Sequence, residues 1–239
     1  MGPDDGGMSL LDYRVRMERV VFADADAVAT EAARLIAAEI GSSNGLMLGL
    51  AGGSTPRATY LNLATMPIDW TGVTTWMTDE RWVAPDAEDS NQAMVRDSLG
   101  TSGHIRFLAP NTRLVHPEAA AARMARSLGC LSNGPHQRMI TMLGMGDDGH
   151  TASLFPGTAA LTVGDKSYVS NWVPHLDAWR LTASYRALAV SDVVLFLVAG
   201  EGKAEAVRKI AQGEKLPAGG VTATERVLWL LDESAASLL

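Results

Sequence analysis

The chain has 239 residues, 47% hydrophobic and 20% charged, with a formal net charge of −7. That apolar content supports a substantial core and excludes general disorder, at a length near the upper limit for one core. The acidic field opposes nucleic acid and anionic membranes, so an anionic ligand would need cations gathered locally.

The acidic, glycine-rich start Met1-Gly2-Pro3-Asp4-Asp5-Gly6-Gly7 lacks the basic and apolar parts of a signal peptide. Residues 1–10 are therefore expected to form a flexible tail before a domain spanning 11–239. Residues 23–40 place Val28, Ala32, Leu35, Ile36 and Ile40 at helical spacing and stop at Gly41-Ser42-Ser43-Asn44-Gly45, which predicts an amphipathic helix. Leu46-Met47-Leu48-Gly49-Leu50 reads as a short buried strand running into Gly52-Gly53-Ser54-Thr55-Pro56, whose proline suits the first turn of the next helix. Further strands are expected over 73–78, 138–143 and 192–198, helices over 91–99, 117–131 and 202–211, and edge strands over 180–184 and 227–231.

This alternation predicts an α/β, Rossmann-like fold: a mostly parallel sheet with helices on both faces. No repeat, linker or composition break divides the chain, so a single domain is expected. The apolar run 193–200 is far shorter than the roughly 20 residues a bilayer requires, so no membrane association is expected. The lone Cys130, flanked by Leu128 and Leu131, is read as an inert buried thiol in a reducing cytoplasm.

Ligands of open α/β sheets bind beyond the carboxyl ends of the strands, which directs attention to three segments. Gly52-Gly53-Ser54-Thr55-Pro56 can cradle a phosphate with free N–H groups, small residues and hydroxyls; its bland alternative is a tight turn with an N-cap serine. It lacks the lysine of a Walker loop and the second glycine of a nucleophile elbow. Asp79-Glu80-Arg81 places two carboxylates and a guanidinium just after a strand, either as a solvated loop-end salt bridge or with Arg81 holding an anionic oxygen.

The third segment runs from Gly144 to Pro156. Its Gly-x-Gly-x-x-Gly is not a dinucleotide fingerprint, because Pro156 and Gly157 interrupt the helix that fingerprint needs. His150 there has the side chain suited to general acid/base work near neutral pH, although a lone histidine is more often structural. His104, His116, His136 and His175 lack metal-ligand spacing and read as surface or loop histidines, so no metal site is expected. Lys203, opening a helix, and the weaker candidate Arg180 could both face a phosphate; each is otherwise an ordinary solvated cation.

Leu50-Ala51-Gly52-Gly53-Ser54-Thr55-Pro56, Thr78-Asp79-Glu80-Arg81-Trp82-Val83, Ser90-Asn91 and residues 144–156, in that order, resemble the 6-phosphogluconolactonases of the glucosamine-6-phosphate isomerase/6-phosphogluconolactonase family. The likeness continues through Gly202-Lys203-Ala204-Glu205-Ala206-Val207, Leu216-Pro217-Ala218 and Trp229-Leu230-Leu231-Asp232-Glu233, covering nearly everything beyond the first twenty residues. It implies hydrolysis of 6-phosphoglucono-1,5-lactone in the oxidative pentose phosphate pathway, without a cofactor. The partner implied is a phosphorylated sugar lactone, and the chain is expected to be a monomer or weak homo-oligomer.

Carried over, the motifs make His150 the acid/base group, Asp79 and Arg81 its companions, and Ser54, Arg180 and Lys203 phosphate contacts, with Gly52, Gly53 and Thr55 completing the phosphate turn. Either Asp79 or Asp148 would orient His150. The approach to Arg180, Trp172-Val173-Pro174-His175-Leu176-Asp177-Ala178-Trp179, departs from the family pattern, as does Gly219-Gly220-Val221-Thr222-Ala223-Thr224-Glu225. The sister deaminases carry an Asn-Glu-Pro segment after the histidine, where this chain has Thr151-Ala152-Ser153-Leu154-Phe155-Pro156. A sensor that kept the fold and lost the chemistry is the remaining alternative.

Overall fold

A computed structural model describes residues 16–100, 105–132 and 138–239; the expected tail, His104, His136 and the side chain of Cys130 lie outside what it describes. In chain order the strands are β1 (Arg16–Phe22), β2 (Leu46–Leu50), β3 (Val73–Met77), β4 (Asp79–Arg81), β5 (Arg106–Leu108), β6 (Arg138–Leu143), β7 (Tyr168–Val173), β8 (Ala178–Ala183), β9 (Val193–Val198) and β10 (Arg226–Asp232). The helices are α1 (Ala25–Ser42), α2 (Ser54–Thr65), α3 (Asn91–Leu99), α4 (Pro117–Ser132), α5 (Tyr185–Ala189) and α6 (Ala204–Ala211).

Seven strands form one parallel sheet in the order β1-β10-β9-β6-β2-β3-β5. Its central strands are buried on both faces, which explains their nearly continuous apolar runs. Alternate residues still divide between two cores. Leu48, Ile140, Leu195 and Leu230 pack with Val28, Ile36 and Leu63 of α1 and α2 on one face. Met47, Leu143, Phe196 and Trp229 pack with Met124 of α4, Val207 of α6 and Leu181 of β8 on the other. The result is a single α/β domain with helices on both faces of the sheet. No described helix is long and apolar enough to cross a membrane.

The topology places the site. From β2 the chain builds outward through β3 to β5, then returns to lay β6 against the other side of β2. Strand order reverses between β2 and β6, and that switch point opens a crevice beyond their carboxyl ends.

Several sequence expectations require correction. Asp79–Arg81 is not a loop end but strand β4, which pairs with β8 in a separate antiparallel sheet ordered β4-β8-β7. The 180–184 segment belongs largely to β8 at the centre of that small sheet. The 227–231 segment lies inside the large sheet, because β1 adds beyond it as the edge strand. The helix expected over 202–211 begins as a 3-10 turn, Glu201–Lys203, with α6 following. Ser54 does not cap α2; Gly53 does, with φ of 112°, and Ser54 is already helical.

Candidate active site

The first wall is the turn between β2 and α2. The N–H groups of Ser54 and Thr55 begin the helix and have no intrahelical acceptors, so the turn presents donors at the positive end of the helix dipole. Tyr60, one turn further on, fixes the turn from beneath: its buried hydroxyl donates to Ala51 O at 2.8 Å and accepts from Ala51 N at 3.0 Å. Gly52 must be glycine, because a Cβ there would lie 2.1 Å from Asn91 Oδ1.

The second wall is β4. Its consecutive carboxylates point to different tasks. Glu80 is wholly buried and accepts from Arg81 N at 2.9 Å, Asn91 N at 2.7 Å, Gln92 N at 2.8 Å and Ser90 Oγ at 3.2 Å. It thus satisfies the open N-terminus of α3. Burial pushes its carboxyl up and these bonds pull it back, the net shift being upward. Asn91, anchored this way, donates through Nδ2 to Asp79 O at 3.1 Å and Asp79 Oδ1 at 3.3 Å.

Asp79 is buried beside the cavity, with Oδ2 accepting from Ser153 Oγ at 2.7 Å. Burial raises its carboxyl; the Ser153 bond and the charges of Arg81, His150 and Arg180 offset this only in part. Arg81 donates to Asp89 O at 2.6 Å and forms no ion pair with Asp79 or Glu80, so the solvated salt-bridge reading fails. Across the small sheet Arg81 is register partner to Arg180. Burial, then the neighbouring Arg81 charge, lowers the Arg180 guanidinium from its ordinary value. Two like charges are thereby held at one wall.

The third wall is the turn after β6. Gly149, at φ of 78°, closes it through Gly149 N to Gly146 O at 3.1 Å, and Gly146 N bonds His150 O at 2.8 Å. Asp148 Oδ1 accepts from His150 N at 2.9 Å and lies 2.6 Å from His150 Nδ1. Of the two carboxylates left open by the sequence, Asp148 is therefore the one that bonds the imidazole. Burial raises the Asp148 carboxyl, but the His150 backbone bond, its charge and its side-chain bond outweigh that, for a net lowering. The imidazole also stacks on Phe155, with centroids 4.1 Å apart and planes at 26°. A Cβ on Gly146 would lie 2.1 Å from His150 Nδ1, so that glycine makes room for the ring.

These walls enclose one cavity of about 570 Å³, lined by Gly52, Gly53, Ser54, Thr55, Asp79, Arg81, Asp148, His150, Arg180 and Lys203 together. The ten residues singled out in the sequence thus converge in space. Sequence reasoning assigned no role to Asn91, Ser153 or Phe155, which line the same cavity, nor to Glu80 and Tyr60 behind it. His175, read as an ordinary loop histidine, is exposed at the cavity's rim. Among the described residues, no group of His, Cys, Asp or Glu is arranged to hold a metal ion.

Fold and site define an α/β protein in which a glycine turn at a helix N-terminus, clustered cations and a carboxylate-bonded histidine share one crevice at the sheet's switch point. The family model for glucosamine-6-phosphate isomerases/6-phosphogluconolactonase matches residues 23–229, and the chain belongs to that family. The chain is 35% identical over 207 residues to a 6-phosphogluconolactonase of Synechocystis sp., covering 80% of this chain and 84% of that protein. A solved 6-phosphogluconolactonase from Thermotoga maritima superposes with a TM-score of 0.79 at 26% identity, covering 91% of this chain and all (100%) of that one. A monomeric glucosamine-6-phosphate deaminase superposes nearly as well, with a TM-score of 0.78 at 27% identity and coverage of 93% and 100%. Backbone shape alone therefore does not separate the two activities.

Proposed function

We propose that the chain is a cytoplasmic hydrolase that opens 6-phosphoglucono-1,5-lactone to 6-phosphogluconate. The observation that carries this reading is the 2.6 Å contact between Asp148 Oδ1 and His150 Nδ1 inside a cavity also lined by Arg81, Arg180 and Lys203. With Nδ1 committed to Asp148, Nε2 is the ring nitrogen left to serve the cavity.

A lactone is an activated cyclic ester, so an aligned water, one base and charge stabilisation suffice. His150 takes a proton from water as the water oxygen bonds to C1 and the carbonyl π pair moves onto oxygen. Arg81 or nearby backbone N–H groups hold that oxyanion, and losing one such donor typically costs about 10²- to 10³-fold in turnover. As the pair returns, the C1–ring oxygen bond breaks and His150 delivers its proton to the departing oxygen. The new carboxylic acid loses its own proton to solvent. Asp148 keeps the imidazole in one tautomer and stabilises its charged form between the two transfers.

Arg180, Lys203 and the Gly52–Thr55 turn would hold the phosphate, so that remote binding energy orients C1 toward His150. The deaminase reading is weaker because residues 151–156 contribute no carboxylate to the cavity; Ser153 Oγ is instead committed to Asp79.

The test is acid release in a pH-stat at slightly acidic pH, where spontaneous opening is slow, with wild type, His150→Ala and no enzyme. Wild-type turnover reduced about 10²- to 10⁴-fold by the substitution is expected. Wild type indistinguishable from the blank would overturn the proposal, and ammonia release from glucosamine 6-phosphate would then be measured.

A further inference from the structure

The tip of the β7–β8 hairpin reaches the cavity, and no step of the hydrolysis above uses it. Its 3-10 turn, Pro174–Leu176, ends on Asp177 in the left-handed region at φ of 46°, with Asp177 N bonded to Pro174 O at 3.1 Å. Directly behind the turn, Trp172 and Trp179 are register partners whose rings approach to 5.4 Å at 60°. Trp82 N bonds Trp179 O at 3.2 Å, tying the hairpin to the segment that leaves β4. The tip is thus braced on two sides.

His175 and Leu176 project from this braced turn to line the cavity. The His175 ring meets Phe155 edge-on, with centroids 5.4 Å apart at 67°, and the same Phe155 stacks on His150. One aromatic ring therefore sets the spacing between the acid/base imidazole and a second imidazole at the rim. Unlike His150, His175 has no hydrogen bond or ion pair from its ring to any described residue; its one ring contact is Phe155.

We infer that His175 is a specificity-determining residue that hydrogen-bonds a hydroxyl of the bound sugar lactone, next to the reacting end. The inference rests on the lactonase reading above. A neutral imidazole both donates and accepts, as a hydroxyl does, so the two are complementary. A phosphate dianion takes donors only, and Arg180, Lys203 and the α2 N-terminus already supply donors to this cavity. The edge contact with Phe155 and the backbone bonds of the hairpin place His175 at the rim before substrate arrives, which limits the ordering cost of the contact.

The experiment is steady-state lactone hydrolysis by wild type, His175→Ala and His175→Gln, with inhibition by 6-phosphogluconate and by inorganic phosphate measured on each. Losing one neutral hydrogen bond should raise KM roughly 3- to 10-fold in His175→Ala with kcat within about twofold. His175→Gln, which keeps a donor and an acceptor, should recover most of that loss. Inhibition by 6-phosphogluconate should weaken in parallel while inhibition by inorganic phosphate stays unchanged. An unchanged KM in His175→Ala, an equal defect in His175→Gln, or weaker phosphate inhibition would overturn the inference. Wild type inactive on the lactone would instead overturn the functional reading on which it rests.

Discussion

At the amino ends of the parallel strands, Arg138 opens β6 between two carboxylates, with Nε 2.6 Å from Glu39 and Nη1 2.8 Å from Glu225. Those partners, Glu225 first and Glu39 next, raise its guanidinium further above its ordinary value. Arg226 reaches the same Glu39 at 3.9 Å, and Asp192 there accepts from Met139 N at 2.7 Å. At the carboxyl ends, Arg81, Arg180 and Lys203 line a cavity, and none forms an ion pair with a described carboxylate. Cations at one end of the strands are paired directly with the protein's own carboxylates; at the other they make no such pair and remain available to what binds. Half-burying a guanidinium beside a second one is costly, as the lowered Arg180 shows, and that cost is intelligible where an anion is the ligand.

Substitutions at the two ends should therefore separate activity from stability. The largest effect is expected from Gly146→Ala. Its backbone is not in a glycine-only region, yet the new methyl would sit 2.1 Å from His150 Nδ1 and 2.8 Å from Asp148 Oδ1. Displacing the imidazole from its carboxylate should reproduce most of the His150→Ala loss, about 10²-fold or more in kcat, with every ionisable group still present. Wild-type kcat in this variant would mean that the Asp148–His150 contact does not set the rate.

Next in size is Arg180→Ala. A charge-assisted bond to substrate typically contributes about 1.5–3 kcal/mol, so KM for the phosphorylated lactone should rise by roughly 10- to 150-fold, with Lys203→Ala behaving alike. Thermal stability should not fall, because each removes an unpaired cation. An unchanged KM in either variant would remove that residue from the phosphate site. Arg138→Ala should do the opposite, lowering stability by about 1 kcal/mol while leaving kcat and KM as they were, since partly exposed ion pairs contribute little. Denaturant unfolding of the two variants side by side tests the contrast.

How much of this was legible in the sequence follows from where the signals are local. The β2–α2 turn and the 144–156 turn each carry their chemistry within a few consecutive residues, so glycine, hydroxyl and histidine could be read in place. The small sheet could not be. β4 is three residues long and reads Asp-Glu-Arg, without the apolar alternation that announces a strand; Arg81 pairs with Arg180 of β8, far along the chain, and Glu80 is buried against a helix terminus rather than in an apolar core. β1 escaped notice for a related reason: Val20 and Val21 stay half-exposed at the sheet's edge, leaving no buried run to detect. The choice between Asp79 and Asp148 depended on a 2.6 Å contact across a two-residue turn, a matter of geometry that residue types do not encode.

The smallest expected effect, and one of opposite sign, concerns Asp79. Its carboxyl is raised above its ordinary value chiefly by burial, with Ser153, Arg81, His150 and Arg180 compensating in part. An acid that binds its proton more tightly in the folded state gains folded-state stability as pH falls through the raised value, and carries the whole cost of its buried charge above it. Asp79→Asn removes that charge and keeps an oxygen and a nitrogen to meet Asn91 Nδ2 and Ser153 Oγ. The variant should melt above wild type at pH 8, by a margin that narrows as pH drops toward the ordinary carboxylate range, while its lactonase activity falls. Thermal melts of both proteins across that range decide the matter. A margin that stays constant or reverses would mean that the neighbouring cations already compensate the Asp79 charge in full, and the contrast between the two ends of the sheet would then extend to Arg138 and its partners but not to the crevice.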